Sequence, residues 1–578
     1  MKNLKLICSV VAGAALLGAL APTTSGQTTS TWIGPGGGDW SVSSNWDTGV
    51  VPANGESAIV GTSQADLNIN VILASLLVEL DGTVVLEPSR NLNFSGMVAN
   101  SLTNFGTINV MNAADLGFEG AIENLGSISV NSSAGSLTDI DIQAGGATLS
   151  GGGTITLSGS QNARLIGLDS VLTVDDQTIE GQGQIGANTV ALDFRVDTIV
   201  DANVPGIRLT IDGDSNLGNN GFGTEIDGLM RASNGGILRF QNDIINNRDG
   251  QIVAMAGSIV ELGNLTDICN GIIRSVDDGQ IVVPVSQNAF LRNLPTPPFD
   301  FELTLDADVR ALNGSDLGIE GTVNNLGTIL ADSTGSFTDI EIQAGGATVA
   351  GPGTVTLSGT NARFSGLAPF SFEDGTLTGN GQVTVDSTFD GASISPGLSI
   401  GSLRFINSDS VFTGGTTIRH EIQSVVDNPG FTADVIDVTG QLDLSDVTID
   451  LVSLDANGEP GEVADFDPNT DYEFVVAIAN EIVNFNSSCA DFSEFTNSFE
   501  GSFVAAVVPR GSRQALVLQT SDVIRGDVNQ DTVINLLDVG PFIDAISFGS
   551  FVPEADVNCD GVVNLLDVEP FVVLLTGG

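Results

Sequence analysis

Five oxygen-bearing side chains stand at fixed steps near the end of the chain. Asp527, Asn529, Asp531, Asn535 and Asp538 fall at positions 1, 3, 5, 9 and 12 of a twelve-residue run, and Asp556, Asn558, Asp560, Asn564 and Asp567 repeat the set in a second run. Carboxylates and carboxamides at alternate positions of a tight loop suit a hard cation, because Ca2+ takes about six to eight oxygen ligands. Val533 and Val562, at position 7, are assigned as backbone-carbonyl ligands, with their side chains left for the core. An EF-hand loop closes on a bidentate Glu at position 12; here Asp538 and Asp567 take that role with a shorter reach. All twelve residues are predicted metal ligands, and the predicted cofactor is two Ca2+ ions. The competing reading is a pair of solvated acidic turns. Loop two has Gly561 at position 6, where the chain turns sharply, and loop one has Thr532 there. A β-branched residue in that geometry is strained, so loop one is predicted to bind more weakly.

Each loop runs into an apolar segment, LLDVGPFIDAI or LLDVEPFVVLL, which predicts a short helix with Pro541 or Pro570 near its first turn. Two such helices bury only a small core, and clustered carboxylates repel each other without a cation, so folding of this segment is expected to depend on calcium. Arg525-Gly526-Asp527 spells an integrin-type triplet, but its Asp is position 1 of the loop.

The motifs DVNQDTVINLLD (527–538) and DVNCDGVVNLLD (556–567) make residues 525–578 resemble the type I dockerin family. The resemblance implies two calcium ions, a compact helical module and docking to a cohesin domain on another extracellular protein. In dockerins the residues just after the ninth loop position read the partner, often as a Ser/Thr pair. Here they are Leu536-Leu537 and Leu565-Leu566, apolar in both copies. The overall layout also resembles large secreted proteins of planctomycete-type bacteria.

The remaining chain must carry this tail. Acidic residues number 71 and basic ones 18, for a net charge of -53. That balance offers no basic footprint for nucleic acid. Charged residues are only 15% and hydrophobics 41%, with 71 glycines, which describes a folded chain of strands and turns. Lys2 and Lys5 followed by the apolar run Leu6–Ala21 predict a signal peptide over residues 1–26, hence a secreted or cell-surface protein, and no later stretch is long and apolar enough to span a membrane. Cys269, Cys489 and Cys559 are odd in number and far apart, so no disulfide scaffold is expected, and a single bridge among them stays open.

Residues 136–159 recur at 336–359 with 18 of 24 positions identical, and Asn162-Ala163-Arg164 recurs as Asn361-Ala362-Arg363. A shorter period sits inside the duplicated unit, where NFGTINV from Asn104 returns as NLGSISV from Asn124. Short β-branched strands between Gly and Asn corners, at a fixed period, predict a parallel β-helix whose coils bury Ile, Val, Leu and Phe against each other. The expected fold class is therefore all-β. A Trp-rich cap spans 27–60, the solenoid 61–404, a β-rich closing domain 405–520, and the helical calcium module 525–578. Residues 60–430 would form roughly 17 coils, a rod of ~80 Å. Trp32, Trp40 and Trp46 are read as a packing cap, with a sugar platform as the alternative.

For the whole chain, the leading expectation is a structural or binding protein with a docking tail, and a neutral glycan is a candidate partner. The alternative is a glycoside hydrolase or polysaccharide lyase on the β-helix. Hydrolysis needs a carboxylate pair, and acids are plentiful, but bases are scarce. His420 is the lone histidine, expected at the surface, and the repeated Arg164 and Arg363 are expected to serve as structural corners. An acidic groove would repel an acidic polymer.

Overall fold

The computed structural model describes residues 28–576 except 96–99, 134, 219–220, 294–301, 427, 486–487, 500 and 559–561. The signal-peptide reading of 1–26, the assignments of Asp560 and Gly561, and Cys559 therefore lie outside the described residues.

The body is an all-β parallel solenoid. Each coil contributes a strand to each of three parallel sheets, the first including Val71–Leu73 and Asn91–Phe94, the second Ser57–Val60 and Ser75–Val78 and the third Gln64–Leu67 and Thr83–Leu86, and each strand pairs with its counterparts one coil below and one coil above. In the third sheet, Ile108, Ile128, Ile155, Ile179 and Val200 lie in register, one per coil, and all are fully buried. The cause is alternation. Inward positions carry aliphatic residues, outward ones carry Thr, Ser, Asn or Asp, and a period of two sends them to opposite faces. A coil alone would leave its inward row wet, whereas a stack covers both sides of every row but the end ones.

The Asn-x-Gly corners have a steric reason. A Cβ on Gly106 would sit 2.2 Å from the Gly82 carbonyl oxygen, and one on Gly126 would sit 2.1 Å from that of Gly106. Only glycine lets successive corners stack this closely. The buried Asn104 donates from Nδ2 to Asn124 Oδ1 at 2.8 Å, and Asn124 donates to Gln177 Oε1 at 2.9 Å, so the amides form their own ladder inside the corner.

Coil length varies. Ser75 stacks on Ser57 across a short coil, whereas Ile226 stacks on Phe194 across a much longer one. In consequence the duplicated segments do not share a face. The strand Thr138–Ser150 starts in the first sheet, where its opening half is stacked on by Ala163–Gly167. The strand Thr338–Ala350 starts in the second sheet, eight rungs above the closing half of Thr138–Ser150. Equivalent residues of the two copies thus look out in directions about a third of a turn apart.

Both ends are plugged by aromatic residues. Trp46 packs edge-on against Trp32 and Trp40 at centroid distances of 5.1 and 4.6 Å, and its Nε1 donates to the Trp40 carbonyl at 2.9 Å. The three indoles are at most 5% exposed, so they are core and not a sugar platform. At the far end, parallel pairing continues through Val435–Leu444 onto Glu473–Val483. It turns antiparallel where Glu473–Ala479 meets the hairpin Ser502–Arg510/Arg513–Ser521, whose first strand also pairs antiparallel with Ser488–Cys489. Phe466, Phe492, Phe495 and Phe499 close the core there around Tyr472 and Phe503. Beyond it stand two helices, α1 (Val539–Phe548) and α2 (Val568–Thr576). No helix of the described residues is long and apolar enough to cross a membrane.

Candidate functional site

The two acidic loops lead into α1 and α2, whose Phe542 and Phe571 rings stack at 3.9 Å with an interplanar angle of 13°. Around that stack lie Val528, Ala545, Ala555, Val557 and Val563. These valines come from positions 2 and 8 of the loops. Val533 and Val562, at position 7, instead have exposed side chains, at 56% and 57%. The expectation that they reach the core is corrected: position 7 turns its side chain to water and its carbonyl toward the position-9 amide. Asn535 Nδ2 donates to Val533 O at 3.0 Å, and Asn564 Nδ2 to Val562 O at 3.2 Å.

Loop one wraps its backbone amides around its own side-chain oxygens. Asp527 accepts from the N–H groups of Asp531 and Thr532 at 2.9 and 2.7 Å. Asn529 Oδ1 accepts from Asp531 N at 2.9 Å, and Asp531 Oδ1 accepts from Val533 N at 3.0 Å. Asp538 accepts from Asn529 N at 3.0 Å and from Asn535 N at 2.8 Å, which ties position 12 back to positions 3 and 9. Loop two repeats this closure: Asp567 accepts from Asn558 N at 3.1 Å and from Asn564 N at 2.8 Å. Thr532 has φ 72°, in the left-handed region that a β-branched residue enters only under strain.

The sequence reading missed how the loops are joined. Gly526 N donates to Glu554 O at 2.7 Å, and Gln530 Nε2 donates to Glu554 Oε1 at 2.9 Å. Arg525 donates to the carbonyls of Pro553 and Asp556 and stands 3.7 Å from the Asp556 carboxylate. The first residue of the integrin-type triplet is thus half-buried between the loops. No spacing rule would have revealed this, because the contact depends on the loops lying back to back.

The donor set can be tested against a hard cation on burial and charge. Asp527 and Asp556 are 3% exposed, and Asp538 and Asp567 are 0% exposed. Among the described residues, Arg525 at Asp556 is the cation within 4 Å of these four carboxylates. Buried carboxylates without compensating charge are costly, and a divalent cation removes that cost. The oxygens offered are carboxylate, carboxamide and backbone carbonyl, the hard set calcium takes. Among the described residues no three His, Cys, Asp or Glu side chains converge as a ready-made metal cluster. The donor types nonetheless suit a hard cation such as calcium.

In the body, His420 is 1% exposed, not at the surface. Burial pushes its pKa down to about 3, and Nε2 has no hydrogen-bond partner, so it is a neutral core residue. Arg164 forms a two-pronged pair with Asp139 at 2.8 and 2.6 Å, and Arg363 does the same with Asp339 at 2.6 and 2.6 Å. Both arginines lie on strands, not at corners. Asp115, stacked directly below Asp139, has its pKa raised to about 6, chiefly by burial and then by Asp139 and Asp141. Cys269 is a buried free thiol.

No curated protein matches the chain at a significant level. The segment that holds the paired loops is another matter: residues 525–570 match the Dockerin type I domain family, so a dockerin type I domain stands at the end of this β-solenoid.

Proposed function

We propose that the chain is an extracellular structural or binding protein whose terminal module folds around two calcium ions and docks onto a partner carrying a cohesin domain. The supporting observation is the burial of Asp527, Asp538, Asp556 and Asp567 in so small a module, with Arg525 as the cation beside them among the described residues. In this reading positions 1, 3, 5, 7, 9 and 12 of each loop hold one ion: Asp527, Asn529, Asp531, Val533 O, Asn535 and Asp538 in the first, and Asp556, Asn558, Asp560, Val562 O, Asn564 and Asp567 in the second. Calcium would supply the charge that lets the loops close. The protein's own part is to pre-bend each loop through its N–H to carboxylate bonds and to brace the two loops through Arg525.

The docking surface is assigned to the residues after position 9. Leu536 and Leu537 are 81% and 67% exposed, and Leu565 and Leu566 are 77% and 68% exposed. Exposed leucine pairs at corresponding positions of the two loops favour a partner with an apolar face. Calorimetric titration of the full chain with calcium tests the metal assignment, with two ions per chain expected. Uptake of no calcium would remove the proposal. Binding to a cohesin domain, measured with and without chelator and with Leu536→Ser/Leu537→Ser, tests the partner.

A further inference from the structure

Register along the sheets builds a pattern that the linear repeat conceals. On the first sheet, Asn91, Asp115, Asp139, Arg164, Gln184, Thr210, Arg239 and Glu261 face outward in direct register, one per coil. On the second sheet, Asn288, Asp316, Asp339, Arg363, Gln382, Arg404 and Asp437 do the same. The order is Asn, Asp, Asp, Arg, Gln, Arg, acid in both, with Thr210 as one extra coil in the first. The inter-coil spacing varies, so only lateral stacking brings these residues into line. Each column runs along the rod axis for roughly 30 Å at ~4.8 Å per coil.

Arginines interleave with acids along each column of this strongly acidic protein, although flanking Asp141 and Asp212 in the first and Glu341 in the second leave acids in excess. In the first, Asp115, Asp139 and Glu261 face Arg164, Arg239 and Arg208, the last held to Glu261 at 2.8 and 2.9 Å. In the second, Asp316, Asp339 and Asp437 face Arg363, Arg404 and Arg513, the last 2.6 Å from Asp437. The paired groups are planar and half-buried, and flanking amides are held flat as well: Gln143 on Asp141 at 3.1 Å and Gln343 on Glu341 at 3.0 Å. Beside the first column Gln161, Gln184, Arg208, Thr210, Arg239 and Gln241 line a recess of about 400 Å³. Asp212 Oδ1 at its edge has no hydrogen-bond partner. Beside the second, the Phe337 ring is 52% exposed with the Arg363 guanidinium 3.8 Å from its centroid.

We infer that each column is a track for an extended, uncharged polysaccharide strand lying along the rod. Flat amide, guanidinium and carboxylate groups pair with neighbouring hydroxyls, an exposed ring offers a stacking face, and the coil step is close to the advance of one sugar unit in an extended β-linked chain. The net charge turns away polyuronates and nucleic acids. The tracks lie on adjacent sheets, so one molecule grips two chains at different angles. This goes beyond the docking role and is independent of it, because the tracks lie in the body.

The test is calorimetric titration of the full-length protein with cellopentaose, mannopentaose and xylopentaose, with pentagalacturonate as the charged counterpart. At least one neutral pentasaccharide should bind with two per protein. Gln184→Leu with Thr210→Val should reduce the number to one, and so should Gln382→Leu with Phe337→Ala. The four changes together should weaken binding at least about tenfold. Thermal melting of every variant should match that of the parent. The inference falls if no neutral probe binds, if only the galacturonate binds, if the parent takes a single chain, or if the fourfold variant binds like the parent. It also falls if these polar residues merely knit the coils, in which case the variants melt earlier and no neutral probe binds.

Discussion

Ile155 in the body has Ile128 below it and Ile179 above it, each in register and fully buried. The same relation extends coil by coil between the Trp plug and the Phe plug. In the dockerin module, by contrast, the buried apolar set is Val528, Phe542, Ala545, Ala555, Val557, Val563 and Phe571. Each fully buried aliphatic or aromatic side chain contributes about 1.5–3 kcal/mol, so the body has reserve and the module has almost none. The module also buries four carboxylates at its loops, and the body's buried acids mostly face arginine partners, as Asp139 faces Arg164 and Asp201 faces Arg231. The contrast teaches that the body is stable through repetition, whereas the module, in the proposed reading, needs an external charge.

Chelation should separate the two most sharply. With EGTA in excess, amide hydrogen exchange over 527–576 should rise to that of an unfolded chain, while the inward strands of the body keep their protection. Asp556→Ala with Asp567→Ala should do the same without chelator. A module whose protection survives EGTA would break the comparison, and with it the calcium assignment. Removal of a ring comes next. Phe389 lies among Phe412, Phe372, Phe405 and Phe370 at centroid distances of 5.1 to 5.9 Å. Phe389→Ala should cost about 3–5 kcal/mol yet leave the rod folded in denaturant titration. Phe571→Ala costs a comparable amount and should leave the module unfolded even with calcium.

The same contrast explains what could be read in advance. The solenoid was legible because alternation and Gly corners act within a few residues, as in NFGTINV and NLGSISV. The dockerin segment was legible because its motif is set by spacing within two short loops. The facing of the duplicated copies was not, because coils of unequal length accumulate rotation that no local pattern records. His420 was misplaced for a related reason. It occupies an inward position of Thr416–Ile422, flanked by Ile418 and Ile422, and a polar residue on an inward position reads as a surface residue until the register is known. The Arg525 brace and the polar columns likewise exist only in three dimensions.

The body should also show its own pH limits. Burial lowers the pKa of His420 to about 3, below its ordinary value, so the stability it contributes is present above about pH 6.5 and is lost as pH falls toward 3. Asp243 behaves oppositely. Burial raises its pKa to about 8, so its contribution is full below about pH 3.8 and is lost as pH rises through 8. Its Oδ2 accepts from Thr224 and from Gly213 N, and Oδ1 has no partner. His420→Leu should flatten the acid limb of a denaturation-midpoint profile, and Asp243→Asn should flatten the alkaline limb. Neither should alter calcium uptake, which keeps the two regions distinct.

The smallest effect lies within the module and compares its two loops. Thr532 holds φ 72° at the position where the sequence of loop two has Gly561. A side chain in the left-handed region costs roughly 1–2 kcal/mol that glycine avoids. If the loop keeps that geometry when it closes on the ion, the strain is present in the folded module and absent from the unfolded chain. Relieving it then stabilises the folded, calcium-binding state. Thr532→Gly should tighten apparent calcium binding at loop one by about five- to tenfold, offset in part by the extra freedom glycine gains in the unfolded chain. The converse change, Gly561→Thr, should weaken loop two by a similar factor. Stepwise titration of the parent should show two unequal affinities, and Thr532→Gly should bring them together. Equal affinities in the parent would mean that the turn relaxes at no cost, and the loops would then be one site repeated.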